Sequence, residues 1–170
     1  MLSETDATAA GLKLDDYLPY RLSVASNAVS GLIARAYEDR FGLSVPQWRL
    51  ICVLAEDGGK TQRALVERTG MDKVSVSRAA RGLAARRLIE RSDHHADGRS
   101  HMLALTREGA RLYAEIAPLA LAYEAALIAG LAPGEVALLK RLLARLQTAA
   151  GALSGGALSG GAGSLGAERV

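Results

Sequence analysis

The run from Ser92 to Gly109, SDHHADGRSHMLALTREG, constrains this chain more than any other stretch. Asp97-Gly98 is a tight-turn signal, because glycine enters positive φ without a Cβ clash. Leu103 and Leu105 alternate with their neighbours in strand fashion and lead to Thr106, a good helix N-cap residue. The run predicts a short β-hairpin with Arg99 at its tip, feeding straight into a capped helix. An arginine on a narrow hairpin suits a narrow groove of negative potential, such as the minor groove of DNA.

Upstream, Thr61 is placed to cap a short helix, Gln62 to Thr69, which Gly70 closes. Asp72 is placed to cap the next helix, Lys73 to about Arg87. Two helices joined by so tight a turn predict a helix–turn–helix. With wing strands at Leu88–Arg91 and Met102–Leu105, the pattern is a winged helix–turn–helix. A first helix should start at Asp15 or Asp16 and run to about Arg40. A second should start at Ser44, with Pro46 in its first turn and Gln47 completing a capping box. A fifth should begin at Thr106 and bend at Pro118. A sixth should run from Pro133 to near Ala149. The expected class is mainly α, about six helices with a small β wing. Residues 1–14 read as a flexible arm and 15–149 as the domain, its DNA-binding part at about 44–109. Residues 150–170, where GALSG occurs twice, read as a flexible Gly/Ala/Ser-rich tail.

At 100° per residue, Val76, Ala79, Ala80 and Leu83 fall on one side of the fourth helix. Val74, Arg78, Arg81 and Ala85 fall on the other, with Ser75 and Ser77 on its flanks. Arginine can bond a guanine edge twice, hydroxyls reach bases or phosphates, and valine can touch a thymine methyl. An ordinary solvated helix face has the same residues. Charge placement favours nucleic acid: the net charge is +3, yet Lys60–Arg111 carries twelve Lys/Arg against six Asp/Glu. One third of the chain holds all the excess positive charge, as a phosphate-binding surface requires.

Other classes find little support. The one cysteine, Cys52, permits no intrachain disulfide, so a cytoplasmic protein is expected. No basic stretch leads into an apolar run near the start, and Ile116–Pro133 is too interrupted for a membrane span. Gly58-Gly59-Lys60-Thr61 lacks the upstream glycine of a phosphate-binding loop, and no carboxylate pair or Ser/His arrangement stands out. The expectation is no enzyme and no cofactor. His94, His95 and His101 gather on the wing, but adjacent loop histidines make poor co-ligands, so no metal site is expected.

From Ser44 to Gly109 the chain resembles the MarR (multiple-antibiotic-resistance regulator) family of transcription factors. The matching pieces are Thr61-Gln62, Leu65, Gly70-Met71-Asp72, Val76-Ser77-Arg78, Leu83, Arg87-Leu88-Ile89-Glu90-Arg91, Asp97-Gly98-Arg99 and Leu103 to Gly109. With the flanking helices, the resemblance spans about residues 15–149. It implies a homodimer built through the first, fifth and sixth helices. It implies a pseudopalindromic double-stranded operator, usually repression, and release by a small aromatic or anionic effector. By position, Ser75, Ser77, Arg78 and Arg81 would meet the major groove, and Arg99 the minor groove, held by Asp97. Thr61, Gln62, Lys73 and Arg91 would meet phosphates, although Thr61 is first of all a helix cap.

The polar, tyrosine-bearing start of the first helix looks like the subset of that family responding to hydroxycinnamate-type acids or their coenzyme A thioesters. Tyr17, Tyr20 and Trp48 could stack on a ring, while Arg21, Asn27 or Arg49 could meet a carboxylate or phosphate. Taken singly, each of these reads first as core, dimer packing or surface. Two alternatives stay open: a redox switch through Cys52, which otherwise reads as a buried structural thiol, and a winged-helix interaction module that reads no DNA.

Overall fold

Most helix starts in this protein are set by side chains that bond the backbone three residues ahead. The computed structural model describes residues 11–93 and 101–156. The elements in order are α1 (Leu18–Phe41), α2 (Val45–Asp57), β1 (Lys60–Thr61), α3 (Gln62–Thr69), α4 (Lys73–Ala85), β2 (Ile89–Asp93), β3 (His101–Leu105), α5 (Arg107–Ile128) and α6 (Pro133–Gly156). At α2, Ser44 Oγ accepts from the Gln47 N–H while Gln47 Oε1 accepts from the Ser44 N–H, at 3.5 and 3.0 Å. Thr61 Oγ1 accepts from the Ala64 N–H at 3.2 Å, and Thr106 Oγ1 from the Gly109 N–H at 3.0 Å. Each bond satisfies a donor that the first helical turn leaves orphaned. The mainly α winged helix–turn–helix is the fold observed, with six helices among the described residues.

The sheet is three-stranded and antiparallel in the order β1-β3-β2. The sequence suggested only the hairpin. Strand β1 is two residues long and exists because Lys60 and Thr61 pair with Leu103 and Met102, which no local pattern shows. Leu88 precedes the wing strand instead of starting it. It closes α4: the Leu88 N–H donates to the Leu83 carbonyl at 3.0 Å and the Arg87 N–H to that of Ala84 at 2.9 Å. This is a Schellman ending, and it holds Arg87 at φ 56°, in the left-handed region.

Two boundaries, those of α1 and α6, differ from expectation. Helix α1 starts from Tyr17 with no side-chain cap, while Asp15 and Asp16 lie in the turn before it. The turn is closed by its own backbone, Asp16 N–H to the Lys13 carbonyl and Tyr17 N–H to that of Leu14. Helix α5 continues past Pro118. Helix α6 continues to Gly156, beyond Ala149, because GALSGG still supplies alanine and leucine and no proline. Residues 150–156 of the expected tail are therefore helical, and 1–10 and 157–170 lie outside the described residues.

Two compact units divide after Leu121. The first contains the core: Tyr37, Leu43, Leu50, Ile51, Leu65, Val76, Leu83, Leu103 and Ile116 are each essentially inaccessible to solvent. In the second, the end of α5 and α6 are joined by Lys140 Nζ to Glu124 Oε1 at 3.3 Å. There Leu138, Leu139, Leu142, Leu143 and Leu146 are all exposed.

Candidate nucleic-acid interface

The turn between α3 and α4 is fixed by three residues. Gly70, at φ 66°, ends α3 with its N–H on the Val66 carbonyl at 3.0 Å. Thr69 Oγ1 donates to the Leu65 carbonyl at 2.6 Å and accepts from the Met71 N–H at 3.3 Å. Asp72 then caps α4: Oδ1 accepts from the Ser75 N–H at 2.8 Å and Oδ2 from Ser75 Oγ at 2.6 Å. These bonds, the hydroxyl first and then the amide, hold the Asp72 carboxyl below its usual pKa.

Helix α4 has two unlike sides. Val76, Ala79, Ala80 and Leu83 are at most 5 % exposed. Val74 is 65 % exposed, so its methyl groups face solvent. Arg78 and Arg81 stand exposed beside it.

The cations of the basic third are sorted by the fold. Arg68 pairs with Glu56 and Asp57 at 3.2 and 3.3 Å, Lys60 with Asp57 at 3.8 Å, Arg63 with Glu67 at 3.0 Å and Arg111 with Glu108 at 2.8 Å. Among the described residues, Lys73, Arg78 and Arg81 have no carboxylate within ion-pair distance. Arg86, Arg87, Arg91 and Arg107 lack one as well, so α4 carries part of the uncompensated positive charge, beside Val74. That combination offers charge for phosphates and base edges, and a methyl-bearing surface for thymine.

Not every sequence candidate is equally free to act. The Ser75 hydroxyl spends its proton on Asp72, so toward a base it can only accept. Ser77 is half-buried, and Arg91 is exposed on β2 opposite Leu103. Thr61 is engaged as the α3 cap, and a bound phosphate would have to share it. Gln62 and Lys73 come together around a shallow recess of about 260 Å³, shared with Arg63 and Val66. Arg63, which the sequence reading did not single out, is held there by Glu67. Asp97 and Arg99, with His94 and His95, lie outside the described residues. His101 sits in β3 opposite Asp93.

The six effector candidates differ in burial. Trp48 is 8 % exposed, and its ring stands 5.2 Å from that of Tyr37 and 5.8 Å from that of Tyr113, nearly parallel to the latter. It is a core residue, and its ring contacts are made within the chain. Tyr17, Tyr20, Arg21 and Asn27 are exposed on and before α1, and Arg49 is exposed on α2. Cys52 is half-buried in α2, and burial, then the nearby Glu56 charge, push its thiol pKa up to about 11.

Known proteins match this architecture. The MarR family model matches residues 41–100, from the end of α1 through the wing. No curated protein matches the chain in sequence. Among solved structures, a probable transcriptional regulator from Pseudomonas aeruginosa is 30 % identical with a TM-score of 0.70, over 79 % of this chain and 99 % of that one. The chain carries a MarR family domain. A MarR/EmrR family transcriptional regulator from Acinetobacter sp. ADP1 superposes with a TM-score of 0.76 at 26 % identity, over 82 % of this chain and 98 % of that one. PcaV, a transcriptional regulator from Streptomyces coelicolor solved with its natural ligand, gives 0.70 at 25 % identity, over 83 % and 99 %. With that domain and these neighbours, the chain is a DNA-binding transcriptional regulator. Among the described residues no single helix is long and apolar enough to cross a membrane.

Proposed function

We propose that this regulator is a repressor that binds a pseudopalindromic operator as a homodimer and leaves it when a small aromatic or anionic effector binds. The carrying observation is the outer side of α4, where Lys73, Arg78 and Arg81 lack carboxylate partners and Val74 is bare. In this reading α4 enters the major groove, Gln62, Lys73 and Arg91 meet phosphates, and Arg99 enters the minor groove with Asp97 beside it. One short helix reads too few bases for useful specificity, and a two-fold dimer doubles the contact. The exposed leucines of α6 and the exposed Leu18 and Leu22 of α1 supply apolar surface for that dimer. The ligand-bound state of PcaV supports an effector-responsive regulator; the start of the first helix, by its resemblance, makes hydroxycinnamates or their coenzyme A thioesters the class to try first. Tyr17 and Tyr20 remain as ring partners and Arg21, Asn27 and Arg49 as anion partners, while Trp48 contributes through packing. A redox switch at Cys52 is disfavoured, since a thiol held protonated is a poor nucleophile.

The test is a fluorescence-anisotropy titration at fixed salt. The protein is titrated against the intergenic DNA upstream of its own coding sequence, with and without p-coumarate, ferulate and their coenzyme A thioesters. Saturable binding over competitor DNA, relieved by one compound, is expected. Binding no tighter than to competitor DNA would favour the interaction-module reading. Replacing Arg99 by alanine should weaken binding and leave the oligomeric state alone; an unchanged affinity removes the wing from the scheme.

A further inference from the structure

Arg86 is exposed and directly follows the last residue of α4, yet its guanidinium does not face solvent alone. Nη1 donates to the Gly42 carbonyl at 2.7 Å and Nη2 to the Phe41 carbonyl at 2.9 Å. These are among the carbonyls that the end of α1 leaves without helical partners, and they carry the negative end of that helix's dipole. A rigid planar fork is the side chain best suited to hold two such acceptors at once.

We infer that Arg86 is a positioning residue that fixes the rotational setting of α4, and so its discrimination among base sequences, without touching DNA. The inference rests on the proposal that α4 reads the major groove. Two further observations support it. The inner side of α4 is Val76, Ala79, Ala80 and Leu83, so alanines occupy its middle and few large side chains interlock to resist rolling. The first turn is held by the Asp72 cap, which fixes where the helix starts but only weakly how its far end is turned. A helix with its side chains is about 10–12 Å across, so a roll of about 10° moves an outer group by about 1 Å. That displacement suffices to spoil a two-point bond from Arg78 or Arg81 to a base edge.

The experiment compares the wild-type protein with Arg86→Ala and Arg86→Lys, by anisotropy on the operator fragment and on unrelated duplex DNA across a salt series. Arg86→Ala should lower operator affinity about tenfold, leave affinity for unrelated DNA unchanged and leave the salt slope on both unchanged. Arg86→Lys keeps the charge and loses the fork, so it should recover only part of the discrimination. It also serves if the alanine variant fails to fold. A salt slope reduced by about one in Arg86→Ala would make Arg86 a phosphate contact and overturn the inference. So would full recovery by lysine, or an unchanged ratio of operator to unrelated-DNA affinity. Absence of any operator preference in the wild-type protein would instead defeat the proposed function.

Discussion

Helices α4 and α6 carry similar apolar stripes in sequence and meet opposite fates. On α4, Val76, Ala79, Ala80 and Leu83 are sealed against α2, α3 and the sheet. On α6, Leu139, Leu142, Leu143 and Leu146 are 38–45 % exposed, and Val136 is half-buried. Periodicity identifies which side of a helix is apolar; it does not say what covers that side. For α4 the cover is the same chain. For α6 the proposed cover is a second copy.

The largest test of that contrast is a matched pair of truncations. Leu83→Ala should cost about 2–5 kcal/mol, because it opens a cavity in a closed core. Leu142→Ala, at high dilution, should stay within about 1 kcal/mol, since the side chain is already wetted. At higher concentration Leu142→Ala should weaken self-association. Urea denaturation at two protein concentrations, with sedimentation equilibrium, reads both effects. Equal losses at high dilution would show that α6 is covered within its own chain.

Next come two glycines predicted to respond with opposite sign. A Cβ at Gly109 would collide with the Leu88 carbonyl, the strand-to-helix junction held by Thr106. Gly109→Ala should destabilise by about 1–3 kcal/mol. Gly151, inside α6, has open space where a Cβ would stand. Gly151→Ala should stabilise by about 0.5–1 kcal/mol through helix propensity. Thermal melts of the two variants check the signs.

Smaller still is the pH response of the α4 cap. The Asp72 pKa is lowered in the folded state, so its contribution is complete above the ordinary carboxylate pKa and is lost as pH falls through the folded value. Asp72→Asn retains an acceptor for the helix but should remove this acid dependence, followed by NMR of the Ser75 amide. The smallest expected effect is at Cys52. Its raised pKa keeps the thiol protonated at neutral pH, so iodoacetamide should label it slowly at pH 7.5. Cys52→Ser should leave any oxidant response of DNA binding unaltered. Rapid labelling, or a response abolished by serine, would restore the redox reading.

What could be read from sequence was whatever one side chain does within a turn of itself. Ser44 with Gln47, Thr61, Asp72 and Thr106 all bond the backbone three residues on, and each was placed correctly as a cap. Strand β1 was not visible, since two residues become a strand only beside β3. The Arg86 fork was not visible either, because its acceptors lie 44 and 45 residues back. Trp48 looked like a ligand platform because composition shows an aromatic ring but not the two tyrosines already beside it. The side of α4 that presents Arg78 and Arg81 was legible, since helical spacing alone divides its residues. Which cations would remain uncompensated was not, because Arg68 finds its acids on another helix.

The left-handed Arg87 leaves an evolutionary margin. Glycine at that position would relieve about 1–2 kcal/mol of backbone strain and give back about 0.4–1 in unfolded-chain freedom. The net gain, roughly 0.5–1 kcal/mol, is within reach of a single substitution outside α4 itself. A regulator with that reserve in hand can absorb a mildly destabilising change on its reading helix and remain folded. Operator preference can then drift while the scaffold holds, and the arginine at 87 marks where the first permissive step would occur.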